Sequence, residues 1–174
     1  MNGQITSAKV KTRRCRIAVD SFVVCEPEFK QCDTPERVIE YARACQGYDA
    51  LAQEWFAVVC LNSKNDAIAM HVVTVGTATA TLVHPREVFR HAIADGACGA
   101  LFVHNHPSGN ARPSGQDREL TQRLVDGGKL LGIRIVDHVI IGACKARPLT
   151  RDETSDPHRE ADAEFFSFCS AGLL

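Results

Sequence analysis

Two histidines one residue apart, His104 and His106, close an apolar run in the segment ALFVHNHPSGNARPSGQDREL, residues 100–120. In an extended chain residues i and i+2 point to the same face, so both imidazoles can converge on one point at the strand exit. Imidazole nitrogens bind zinc at about 2.0–2.1 Å, and a catalytic zinc commonly takes three protein ligands and keeps a fourth position for water. The nearest carboxylate after the turn is Asp117. Pro107 and Pro113 stiffen the intervening loop, and Gly109 permits a positive φ within it. The chain can therefore double back and set the start of the next helix beside the two histidines.

A purely structural reading accounts for part of the same segment. H-x-H alone is a weak motif, and most such pairs bind nothing. Ser114 and Asp117 fit an S-x-x-D helix start, with Ser114 as the cap and Asp117 at the third position. That reading leaves unexplained the two histidines immediately before the helix. The two readings are also compatible, because a carboxylate in the first turn of a helix is held ionised by the helix dipole. The Ser114 hydroxyl can serve its own backbone or face a bound substrate.

A hydrolytic metal centre needs a base to take a proton from water and pass it on. The candidates before the histidines are Glu54 and Glu87. Glu87 falls on an expected helix, where a surface or capping role competes. Glu54 opens the most hydrophobic strand, at what would be a sheet edge. The residues themselves leave that choice open.

The elements that must position these groups follow from periodicity and turn residues. "RIAVDSFVV" (16–24) reads as a first strand and "DTPERVIEYARACQG" (33–47) as a helix capped by Thr34, entered at Pro35 and ended by Gly47. "EWFAVVCLN" (54–62), the turn-like "SKND" and "AIAMHVVTVG" (67–76) form an expected antiparallel hairpin. "HPREVFRHAIADGA" (84–97) is a helix with Val88, Phe89, Ala92 and Ile93 facing the core. "GALFVH" (99–104) is apolar without interruption and so central in a sheet. The helix over 115–132 carries a stripe of Leu120, Leu124, Val125, Leu130 and Leu131, loosened at Gly127-Gly128. A strand over 133–142, a polar acidic loop over 143–163 and a closing strand over 164–174 complete the chain. Strands and helices alternate, which gives an α/β or mixed α+β class around one sheet.

Composition sets outer bounds. The 174 residues are enough for one domain with a real core; 45% are apolar and 24% charged, as in ordinary globular proteins. The net charge of −1 gives the whole chain no pull towards nucleic acid or membrane. Locally, Lys9, Lys11, Arg13, Arg14 and Arg16 make a basic arm over residues 1–16 that can touch phosphates weakly and with strong salt dependence. The remainder, 17–174, is expected to be one domain interrupted by the acidic segment 143–163. No apolar run approaches the length of a membrane span, and "IAVDSFVVC" is interrupted by Asp20, so a signal peptide is not expected. Eight cysteines without C-x-x-C spacing point to reduced thiols in a cytoplasmic protein, with a cysteine zinc site or a disulfide framework as the alternative.

Taken together, Glu54, the HNH triplet, Ser114 and Asp117 resemble the JAMM motif of JAB/MPN-type zinc peptidases. "LVHPREVF", "HNHPSGNARPSGQD", "LLGIRIVDHVIIG" and "FFSFCSAGLL" are similar to the RadC branch of that superfamily, over residues 35–142 and 165–174. The resemblance implies a cytidine-deaminase-like α-β-α domain around a mixed sheet, with one zinc per chain. It implies His104, His106 and Asp117 as the zinc ligands, Glu54 as the general acid/base, and Ser114 as a donor to the oxyanion of a tetrahedral intermediate. The implied reaction is hydrolysis of a peptide or isopeptide bond in a protein or peptide substrate. Asp137 and His138, within the same signature, can support the site or form a buried structural pair. Longer RadC-type proteins carry an N-terminal helix-hairpin-helix module associated with DNA, for which residues 1–34 are too short. Two other functions stand beside the hydrolase: a DNA-associated accessory protein in repair or mobile-element biology, and a zinc-bearing scaffold without catalysis.

Overall fold

A computed structural model describes residues 31–46, 53–76, 83–142 and 165–174. The expected first strand (16–24), the basic arm, the Gly47 helix stop and the acidic segment 143–163 lie outside the described residues. The chain runs α1 (Pro35–Gln46), β1 (Trp55–Leu61), β2 (Ala67–Val75), α2 (Pro85–Ala94), β3 (Gly99–Asn105), α3 (Gly115–Leu131), β4 (Arg134–Ile141) and β5 (Phe165–Ser167). The five strands form one mixed sheet in the order β2-β1-β3-β4-β5. All pairs are antiparallel except β3 with β4, which run parallel and are joined through α3.

Strand alternation sorts the core into two layers. Ala57, Val59, Leu61, Leu101 and Val103 pack with Val38, Ile39 and Ala42 of α1. Phe56, Val58, Cys60, Ala100 and Phe102 pack with Val88, Phe89 and Ala92 of α2 and Leu124 of α3. Because both faces of β3 are covered, its burial is continuous along the strand, as the uninterrupted apolar run predicts. The Asn62–Asp66 turn closes the hairpin: the Asn62 side chain accepts from Lys64 N and Asp66 N, and Asn65 takes a positive φ of 65°. At α1, Arg37 N donates to Thr34 Oγ1 at 3.4 Å, so Thr34 caps the helix.

Four expectations are corrected. Ile93 is 59% exposed rather than in the core. The buried residues of α2 are Val88, Phe89, His91 and Ala92. At about 100° per residue, Ile93 swings out past Ala92, and His91 takes an inward place that apolar patterning would not assign to it. Leu130 and Leu131 are also exposed, because the inward line of α3 runs Thr121–Leu124–Gly128. The helix continues unbroken through Gly127 and Gly128, and no loosening occurs there. Gly128 is needed for close approach instead: a Cβ there would lie 2.6 Å from the Ile133 carbonyl oxygen. The closing strand is only three residues long, and residues 168–172 fold into turns, with Leu173 N donating to Phe168 O. The Asp137 carboxylate ends that ladder by accepting from Ser167 Oγ at 2.6 Å and from Cys169 N at 2.9 Å.

Among the described residues Cys32, Cys45, Cys60, Cys98 and Cys169 are free thiols, the first three buried. No described helix is long and apolar enough to cross a membrane.

Candidate metal centre

β3 delivers its last residues to the α2/α3 side and the α1 side alternately. His104 pairs in register with Phe56 and shares its face, packed against the Phe56 ring at 6.0 Å. Beyond the strand, His106 N donates to Ile141 O, so the sheet spacing still holds the backbone where the second imidazole departs. The loop then turns at Gly109 (φ 84°) and is pinned by Ala111, which is buried against Ile140 and Phe168. α3 starts at Ser114 with both halves of a capping box. Ser114 Oγ accepts from Asp117 N at 3.1 Å, and the Asp117 carboxylate accepts from Ser114 N at 2.7 Å.

The strand exit and the helix start converge. His104 Nε2 lies 3.0 Å from His106 Nε2, and Asp117 stands 3.5 Å from the first and 3.6 Å from the second. The structure thus brings His104, His106 and Asp117 together, with Ser114 bonded to Asp117. Glu54, half-buried and immediately before β1, is near enough for its charge to act on His106. Glu87 instead faces Arg86 and Arg90 on its own helix, at 3.3 and 3.7 Å.

Hydrogen bonding around the cluster fixes which ring nitrogens carry protons. A carbonyl oxygen only accepts, so Thr121 Oγ1 donates its single proton to Asp117 O (2.6 Å) and must accept from His138 Nδ1 (2.6 Å). His138 Nε2 is then an acceptor and takes the proton of His104 Nδ1 at 2.8 Å. On the other side, His106 Nδ1 donates to Asn110 O at 2.7 Å. With both rings neutral, the two Nε2 atoms present lone pairs to each other and to a carboxylate. Such a set is self-repelling unless a proton or a cation lies among its members.

The donor set fits a metal. Two ligands at about 2.0–2.1 Å in tetrahedral array stand roughly 3.3 Å apart, and the three separations here, 3.0, 3.5 and 3.6 Å, bracket that value. The electrostatics agree. Burial pushes His104 down to about 3, so it stays neutral and can give its lone pair. Burial also works against a charged His106. The hydrogen bond to Asp117, that to Asn110 O and the charges of Asp117 and Glu54 outweigh it and raise His106. Asp117 is likewise opposed by burial, yet the His106 hydrogen bond, the charge of His104 and the bonds to Ser114 hold its carboxyl well below the usual range. Burial lowers His138 far enough to keep it neutral, as the relay requires.

Three contributors escaped the sequence reading or were left open by it. Asn105, the middle residue of the triplet, points to the other face. Its Oδ1 accepts from Trp55 N (2.8 Å) and its Nδ2 donates to Gln53 O (3.0 Å), bracketing Glu54 from both sides. Thr121, one helical turn after Asp117, carries no motif beyond its i+4 spacing. Asp137 and His138 divide their work. His138 joins the relay and stacks on Phe168 at 4.9 Å, whereas Asp137 is structural, tied to Ser167 and Cys169.

Comparison with known proteins agrees with this architecture. Residues 32–153 match the family described as RadC-like JAB domain. A UPF0758 protein of Picosynechococcus sp. is 54% identical over 90 residues, covering 52% of this chain and 37% of the relative. Another, from Caldanaerobacter subterraneus subsp. tengcongensis, is 48% identical over 109 residues, covering 63% and 46%. One from Methanosarcina barkeri is 46% identical over 124 residues, covering 71% and 52%. These alignments span about half or less of the relatives' own length. With the family model matching more than half of its residues, the chain belongs to the RadC-like JAB domain family.

Proposed function

We propose that the chain is a zinc-dependent hydrolase of peptide or isopeptide bonds. The observation that carries this reading is the convergence of His104 Nε2 and His106 Nε2, 3.0 Å apart, beside the Asp117 carboxylate. His104, His106 and Asp117 would hold the zinc, which when bound lowers the pKa of water and polarises a carbonyl. Thr121 and His138 keep His104 in the tautomer that leaves Nε2 free, and Asn110 does the same for His106.

Glu54 takes the proton of the attacking water and returns it to the leaving amine. Its carboxylate acts on the site electrostatically without belonging to the ligand cluster, and the Asn105 bracket fixes the backbone on either side of it. Ser114 Oγ accepts from Asp117 N and still has its own proton to donate to a developing oxyanion. The exposed hydroxyl can be reached by a substrate strand laid along this edge.

Elemental analysis of the purified protein joined to an unbiased peptide and isopeptide cleavage screen tests the proposal. About one zinc should be lost on combined His104→Ala and His106→Ala substitution. Glu54→Gln should keep that zinc and lower cleavage by about 10²–10⁴-fold. Wild-type protein that neither contains nor takes up zinc would overturn the reading, as would cleavage unaffected by Glu54→Gln.

A further inference from the structure

A second convergence of metal-binding side chains lies on the same face of the sheet, away from the strand exit. Cys60 pairs with Ala69 across the β1/β2 ladder and His71 with Val58, so Cys60 and His71 are diagonal neighbours on the α2 side. Asp95, the C-cap of α2, completes the group. One ligand atom from each of Cys60, His71 and Asp95 lies within 4.8 Å of the other two. His71 Nε2 is 2.6 Å from Asp95 Oδ2. Cys60 is four residues along β1 from Phe56, the partner of His104, which separates the two clusters by roughly 13 Å along the strand.

The cluster is incomplete as a hydrogen-bonded network. His71 and His91 stack at 4.5 Å, both are at least nine-tenths buried, and the Nδ1 atom of each has no hydrogen-bond partner among the described residues. Buried polar atoms of that kind are rare and call for a reason. The placement of Asp95 is a second anomaly, because a carboxylate at a helix C-terminus opposes the helix dipole. In the metal-free protein His71 Nε2 hydrogen-bonds that carboxylate at 2.6 Å, and a bound cation would take the place of the shared proton. Thiolate, imidazole and carboxylate together are a donor set suited to zinc.

We propose that Cys60, His71 and Asp95 form a second, sulfur-containing zinc site that fastens the β1/β2 hairpin to the end of α2. Metal uptake breaks the Cys60 S–H bond, forms the sulfur–metal bond and releases that proton to solvent. Asp95, whose side chain is 21% exposed, offers the way in.

Sulfur distinguishes this site from the nitrogen-and-oxygen centre. The test is cobalt(II) substitution of the full-length protein, reading the thiolate-to-cobalt charge-transfer band in the near ultraviolet together with metal content. Wild-type protein should hold about two metals per chain and show the band. The His104→Ala/His106→Ala variant should keep the band and about one metal; Cys60→Ala should lose the band and keep the other metal. Should Cys60→Ala not fold, as judged by circular dichroism, Asp95→Asn serves instead and should weaken cobalt binding in the thiolate site alone. Absence of the band in wild type, or a band that survives Cys60→Ala or is unchanged by Asp95→Asn, overturns the proposal. Failure at the strand-exit centre reads differently: the metal content of the double-histidine variant would equal that of wild type.

Discussion

The two clusters on the α2/α3 face differ in how their imidazoles are held. At the strand exit every ring nitrogen is accounted for: His104 Nδ1 by His138, His138 Nδ1 by Thr121, His106 Nδ1 by Asn110, with the two Nε2 atoms turned inward. Around Cys60 and His71 two Nδ1 atoms have no partner among the described residues, and the acid sits at the wrong end of its helix. The first cluster is organised in advance, its tautomers set by groups that hydrogen-bond to its members without belonging to it. The second has ligand types without such support. A relay of supporting hydrogen bonds is what separates a cluster preorganised in one arrangement from one whose ligand types merely converge.

The comparison is sharpened most by removing the relay. Thr121→Val keeps the shape of the side chain but leaves His138 Nδ1 without its acceptor, and His104 is no longer held to one tautomer. Zinc affinity at the strand exit should fall about 10–100-fold in competition titrations. The Cys60 cluster should be untouched, and equal loss at both would break the contrast. A smaller effect comes from Ser114→Ala. It removes the acceptor for Asp117 N and should cost about 1 kcal/mol of stability by denaturant unfolding. Zinc content should persist there, because the Ser114 backbone N–H still orients the Asp117 carboxylate. Smallest are Ile93→Lys and Leu130→Lys, on the exposed sides of α2 and α3, each expected to shift unfolding by no more than about 0.5 kcal/mol. A large loss from either would mean that those faces are covered.

Much of the architecture was readable because periodicity and punctuation agree locally. The helix starts at Pro35, Pro85 and Gly115 follow from Pro and capping residues, and the hairpin follows from two apolar runs around a polar turn. What failed depends on where an element meets its neighbour. Ile93 and Leu130 are apolar and correctly spaced for a stripe, but α2 turns His91 inward and α3 approaches β4 through Gly128. The ligand candidates were legible because H-x-H and S-x-x-D are local. Glu54 was not separable from Glu87 by residue type alone, and the arginines facing Glu87 exist only once α2 is formed. Thr121 and His138 are joined across 17 residues, and Cys60, His71 and Asp95 come from three elements without a spacing rule. Cooperation over such separations leaves no mark that a single sequence displays.

Asn105 has a mechanical consequence. The triplet HNH sends its outer residues to one face and its middle residue to the other, and the middle one grips the backbone on both sides of Glu54. The strand that carries the histidines and the strand that carries the carboxylate are thereby bolted in a single alignment. Sliding one past the other by a residue would not merely lengthen the gap between Glu54 and the two histidines. It would reverse every side chain of the moving strand and undo the bolt at the same step. The spacing between Glu54 and the histidines is thus set in whole strand repeats, like a ratchet tooth, and not by the give of a loop.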